Sequence, residues 1–154
     1  MREIHLIEIT KENMNSFEKL KDFFDNREVA HKATKPLGKK ATGEVIFLED
    51  PEKSYIFKKS GKFATLFEES VKKPDFTMKL SIGAVEDLVN FKSENIGDFG
   101  IRFFKLLKAN EKGKEVEVKI NIGFFRIVTK GYLKVLLLGG PIVKSAAKKL
   151  FSKK

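Results

Sequence analysis

Two histidines, a few pairs of adjacent carboxylates and a few glycine–lysine stretches are the residues of this chain that could do chemistry. Their spacing decides how much. His5 and His31 fall in different predicted elements, without the H-x-H or H-E-x-x-H spacing that turns two imidazoles toward one metal ion. Zero cysteines exclude a thiolate nucleophile, a Cys-ligated zinc and an iron–sulfur cluster. Asp98-Phe99-Gly100 spells a magnesium-binding tripeptide of phosphoryl-transfer enzymes, but neither the Gly-rich loop nor the H-R-D segment of that machinery accompanies it. Asp98 reads instead as a helix N-cap. Gly38-Lys39-Lys40 lacks both the first glycine and the Ser/Thr of a phosphate-cradling loop. Glu68-Glu69 and Glu86-Asp87 are neighbours in sequence, so on a strand or helix their side chains diverge rather than converge on one substrate. No catalytic residue, metal site or cofactor is expected, and the chain reads as a non-enzyme.

Charge is the stronger signal. The 154 residues carry 31 Lys and Arg against 21 Asp and Glu, a net of +10. From Val118 to Lys154 there is no acidic residue, while Lys119, Arg126, Lys130, Lys134, Lys144, Lys148, Lys149, Lys153 and Lys154 contribute nine cations. The preceding 117 residues then hold 22 basic and 21 acidic side chains, close to neutral. The basic stretch is also dense in apolar residues, among them Phe124, Phe125, Leu133, Leu136, Ile142 and Phe151, so it is not a solvated basic arm. It either packs as the basic face of a globular domain or sits on something apolar and anionic. RNA or an acidic protein is the competing partner. The charged start Met1-Arg2-Glu3 and the nine-residue apolar limit at Val135–Val143 argue against a leader peptide and a membrane span, which fits a cytoplasmic protein with peripheral membrane contact.

The elements that must position these residues follow from periodicity. Thr10 is placed to cap a helix over about 11–25, with Met14, Phe17, Leu20 and Phe24 in one stripe. Residues 27–42, broken by Pro36 and Gly38, predict a short helix or loop. Period-two runs at 44–49, 54–59 and 62–68, separated by Asp50-Pro51-Glu52 and Ser60-Gly61, predict an antiparallel meander. A fourth strand spans 75–80 and a fifth alternates Val116, Val118, Ile120 and Ile122 with polar residues. Ser81 and Asp98 are placed to cap two helices between them. Past Gly123 a helical pattern runs to about 138. Pro141 opens a last helix with Lys144, Lys148 and Lys149 beside Ile142, Leu150 and Phe151. The class is α+β, a mostly antiparallel sheet with helices over one face, forming one domain: 1–42 helical, 43–123 sheet and covering helices, 124–154 basic amphipathic helices.

Of 17 aromatic residues 15 are Phe, which lacks a polar handle and favours burial over the exposed stacking used to read nucleic acid. A solid core and an apolar cavity both fit that composition. The strand Gly43-Glu44-Val45-Ile46-Phe47-Leu48, the hairpin Ser54–Lys62, the segment Lys73-Pro74-Asp75-Phe76-Thr77-Met78-Lys79-Leu80-Ser81 with its following helix, and the late strand Val116–Ile122 together resemble the sterol carrier protein-2-like family. The segment Glu94–Asn110 is longer and more basic than that family's pattern, and Asn121-Ile122-Gly123 also departs from it. The resemblance implies a five-stranded sheet, helices closing over an apolar tunnel for a fatty acyl chain, sterol or similar lipid, and no catalysis. It also implies an alternative role as an accessory domain serving an enzyme of lipid or quinone metabolism. The cavity is then expected among Phe76, Met78, Leu80, Leu88, Phe103, Leu107, Phe124, Val128 and Tyr132. Docking on an anionic membrane is expected through Lys144, Lys148, Lys149 and Phe151, in the layout of an interfacial helix.

Overall fold

A computed structural model describes residues 14–138 together with 140, 145 and 148. The first helix among the described residues, α1 (Ser16–Asn26), starts where sequence chemistry closes a capping box: the Asn15 side chain accepts from Glu18 N at 2.9 Å, and Glu18 Oε1 accepts from Asn15 N at 3.0 Å. This corrects the expected start near residue 11, and the expected cap Thr10 lies outside the described residues. Phe17, Leu20 and Phe23 form the buried stripe of α1. Arg27, in extended conformation, ends α1 and begins α2 (Glu28–Thr34).

The five strands are β1 (Thr42–Phe47), β2 (Ser54–Ser60), β3 (Phe63–Phe67), β4 (Phe76–Leu80) and β5 (Val116–Ile120), in the order β3-β2-β1-β4-β5. The sheet is mixed. β1 runs parallel to β4, and the remaining neighbours are antiparallel. Register places Val45 opposite both Tyr55 and Met78, Met78 opposite Val118, and Leu80 opposite Val116. Because side chains alternate along a strand, these residues share one face, and it is the face the helices cover. Glu44, Thr77, Lys79, Glu117 and Lys119 share the other, where Thr77 Oγ1 donates to Glu44 at 3.0 Å.

Helix α3 (Ile82–Val89) is capped as expected by Ser81, whose Oγ accepts from Ala84 N at 3.2 Å. The cap of α4 (Ile96–Ala109) is Asn95, not Asp98: the Asn95 side chain accepts from Asp98 N at 3.0 Å, and the Asp98 carboxylate accepts instead from Ser93 Oγ. An acidic residue suits the first turn as well as the cap, so Asp98 alone misplaced the boundary by one turn. The main core gathers Phe17, Leu20, Phe23, Val45, Phe47, Tyr55, Leu66, Leu80, Val85, Leu88, Leu106 and Val116 under α1, α3 and α4. The Phe17 ring stacks on Tyr55 with centroids 4.3 Å apart.

The pattern expected to form one helix over 124–138 forms two short ones, α5 (Phe124–Thr129) and α6 (Tyr132–Leu137). Gly131 breaks them apart with φ of +89°, and a Cβ there would fall 2.3 Å from the Pro36 carbonyl oxygen. Only glycine allows this close approach. Gly38 N donates to Lys130 O at 2.8 Å beside it, so the α5–α6 corner is docked on the 36–38 loop. A second, smaller core of Leu37, Ala41 and Ala64 takes Phe57, Tyr132 and Val135 from around that corner.

Candidate functional site

Two sets of helices cover the sheet, and an apolar groove lies between them. Phe76, Met78, Val118, Ile120 and Ile122 form its floor on and beside β4 and β5. Phe103 and Phe104 of α4 form one wall, and Ile127, Tyr132, Val135 and Leu136 of α5 and α6 form the other. The groove holds about 150 Å³ and is open to solvent on one side. A dry apolar site of that order takes one small hydrocarbon, against roughly 300–1,000 Å³ for sites that enclose a whole drug-sized ligand. A longer ligand would have to extend out of the open mouth, or α5 and α6 would have to move. The floor depends on glycine at one point: a Cβ on Gly43 would fall 2.1 Å from Phe76 Cζ, so the missing side chain is what lets the Phe76 ring lie across β1.

One end of the groove is polar. Asp75, with 2% of its surface exposed, precedes β4 and accepts three hydrogen bonds on its carboxylate. Lys130 Nζ donates to Oδ1 at 2.6 Å, while Tyr132 Oη and Thr42 N donate to Oδ2 at 2.7 and 2.9 Å. Its backbone is held as well, with Asp75 N donating to Thr42 O and Asn121 N donating to Asp75 O, both at 2.8 Å. Burial, reinforced by the hydrogen-bonded carboxylate, pushes the Tyr132 phenol above its ordinary pKa. The phenol therefore stays a protonated donor at neutral pH. A carboxylate spent on three donors is poorly placed to act as a base. Its geometry holds the α5–α6 corner over the sheet.

The structure brings four of the nine expected cavity residues to the groove: Phe76, Met78, Phe103 and Tyr132. The other five lie elsewhere. Leu80 (1% exposed) and Leu88 belong to the main core, and Leu107 packs against it. Phe124 and Val128 are 63% and 40% exposed, whereas Ile127 of the same helix is buried and lines the groove. Of the expected docking residues, Lys148 is exposed, whereas Lys144, Lys149 and Phe151 lie outside the described residues. Val118 and Ile120 are not among the expected cavity residues, although their period-two alternation marks them as apolar strand positions; register sets them opposite Met78 and Phe76. Nor is Asp75, whose buried role depends on contacts with Lys130 and Tyr132 more than fifty positions away.

The remaining titratable groups serve the frame. Asp87 is gripped by Arg102 Nε and Nη2 at 2.6 and 2.7 Å and by Lys114 at 3.1 Å, tying α3 to α4 and to the turn before β5. Hydrogen bonding to Arg102 holds its carboxyl below the usual range. Glu86, on the same helix, pairs with Lys19 at 2.8 Å, so these adjacent carboxylates do diverge. Arg27 donates to the Val89, Phe91 and Ser93 carbonyls and pairs with Glu94, which fixes the loop after α3. His31 stacks on Phe63 with centroids 3.7 Å apart and its Nε2 lies 2.7 Å from Asp25 O, while His5 lies outside the described residues. Among the described residues no three His, Cys, Asp or Glu side chains gather as a metal would require. No helix among them is long and apolar enough to cross a membrane.

No family profile and no curated protein matches this sequence. Among solved structures the fold is similar to sterol carrier protein 2 domains. One is described as "UbiJ-SCP2 Ubiquinone synthesis protein", with 15% identity over 84% of this chain and 90% of that one and a TM-score of 0.45. Another is the sterol carrier protein domain 2 of Helicoverpa armigera, with 18% identity over 81% and 86% of the two chains and a TM-score of 0.39.

Proposed function

We propose that this chain binds a lipid or other hydrophobic ligand without transforming it, holding an apolar segment between β4–β5, α4 and the α5–α6 corner. The observation that carries the reading is the groove itself, an open apolar slot of about 150 Å³ whose polar end is already satisfied internally. A floor of Phe76, Met78, Val118 and Ile120 offers dispersion contacts without directional bonds, so selectivity rests on width and apolarity. Met78 and the Phe rings adapt to chains of different shape. Reversible docking on anionic membranes is part of the same proposal: the acid-free 118–154 stretch, with Lys144, Lys148, Lys149 and Phe151, supplies the charge.

Titration with a fluorescent fatty acid tests the reading. Saturable binding that an unlabelled acyl chain displaces, and that Val118→Phe abolishes by filling the groove floor, is the expected result. Binding unchanged by Val118→Phe would remove the groove from the account.

A further inference from the structure

Helices α5 and α6 are apolar on both sides. Ile127, Val135 and Leu136 face the groove, while Phe124, Phe125, Val128, Leu137 and Leu138 are 63%, 78%, 40%, 47% and 41% exposed. A helix apolar around most of its circumference belongs in an apolar environment on every side, and water is not one. The only charged side chains on these two helices are Arg126 and Lys134, both cationic and both exposed. The chain from 118 onward carries no acid to oppose them.

We infer that α5 and α6 form a membrane-inserting wedge, with Phe124 and Phe125 entering the acyl boundary of an anionic leaflet while Arg126 and Lys134 meet its headgroups. Charge selects the occupant: exposed Phe and Leu beside Arg126 and Lys134, in a stretch of chain with no acidic residue, complement an anionic lipid surface, whereas a second copy of the same surface would repel it. The inference rests on the docking part of the proposed function and assigns it a surface outside the Lys144–Phe151 segment. Because the same two helices wall the groove, insertion would bring the ligand's exit beside the lipid phase.

The chain has no Trp, so Phe125→Trp introduces a single reporter at an exposed position. With phosphatidylcholine vesicles containing phosphatidylglycerol, its emission is expected to shift to the blue and become shielded from iodide, and neither change is expected with phosphatidylcholine alone. Phe124→Ser/Phe125→Ser, at positions that contribute nothing to the core, should fold normally by circular dichroism, retain fluorescent fatty acid binding and lose about tenfold or more in vesicle partitioning. Wild-type sedimentation with anionic vesicles that the double variant matches, or a Trp that stays quenchable on bound vesicles, would overturn the wedge while leaving membrane docking in place. Failure of the wild type to sediment at all would overturn both. A dimer abolished by the double substitution, without vesicle binding, would reassign the surface to a second copy.

Discussion

Tyr132 Oη donates to Asp75 Oδ2 across 2.7 Å, joining the first residue of α6 to the residue before β4. With Lys130 on the other carboxylate oxygen at 2.6 Å, this bond sets where the α5–α6 wall stands over the sheet, and so sets the width of the groove.

Removing the charge at that point should loosen the wall. Asp75→Asn leaves Lys130 without its counter-ion in a mostly buried site, and breaking such a pair from one side costs about 3–5 kcal/mol. Urea unfolding is expected to show a loss near the lower end of that range, because part of the Lys130 side chain reaches water. Adding Lys130→Met should recover a portion, and a double-mutant cycle that returns no coupling would mean the two groups do not act as a pair.

Tyr132 makes the same bond visible in alkaline solution. Its folded pKa is raised, so the native phenol keeps its proton where the unfolded one releases it, starting near pH 10. The stabilisation is complete below that pH and is lost as pH climbs toward the folded value. Wild type should therefore lose stability faster than Tyr132→Phe above about pH 10, with parallel curves below it. Parallel curves throughout would place the hydroxyl outside the buried network.

Asp87 governs the acid side. Its carboxyl is held below the usual range, first by hydrogen bonding to Arg102, so its contribution is present above the unfolded pKa of about 3.9 and disappears as pH falls through the folded one. Chemical denaturation at a series of pH values should show a shallower acid limb for Asp87→Asn than for wild type. Identical slopes would show that Arg102 and Lys114 contribute no pH-dependent stability through it.

Gly131→Ala tests the docking of the corner sterically. The added Cβ meets the Pro36 carbonyl in a backbone conformation that costs a non-glycine residue about 1–3 kcal/mol before the clash is counted. A lowered melting temperature and weaker fatty acid binding are expected together, whereas full stability with full binding would separate the corner from the site.

What the sequence made legible was the periodic part. Val116, Val118 and Ile120 announced a strand and the helix face of the sheet, and Ser81 announced its helix, since both signals are local. The resemblance carried by Gly43–Leu48 and Lys73–Ser81 implied a five-stranded sheet, and five strands are present. The parallel pairing of β1 with β4 is set by long-range register that periodicity does not encode. The groove was half legible: Phe76 and Met78 follow from alternation, but choosing Ile127 over Phe124 required knowing how the α5–α6 corner docks on the distant 36–38 loop. Asp75 looked like an ordinary polar residue at the start of a strand, and its burial comes from a corner of chain distant in sequence.

The most direct measurement is organic extraction of the purified chain followed by mass spectrometry, run beside the groove-filled Val118→Phe variant. A lipid or other hydrophobic molecule recovered in stoichiometric amount from wild type, and absent from a folded Val118→Phe protein, is the result this account predicts. An empty wild type that also fails to take up a fluorescent fatty acid would contradict it.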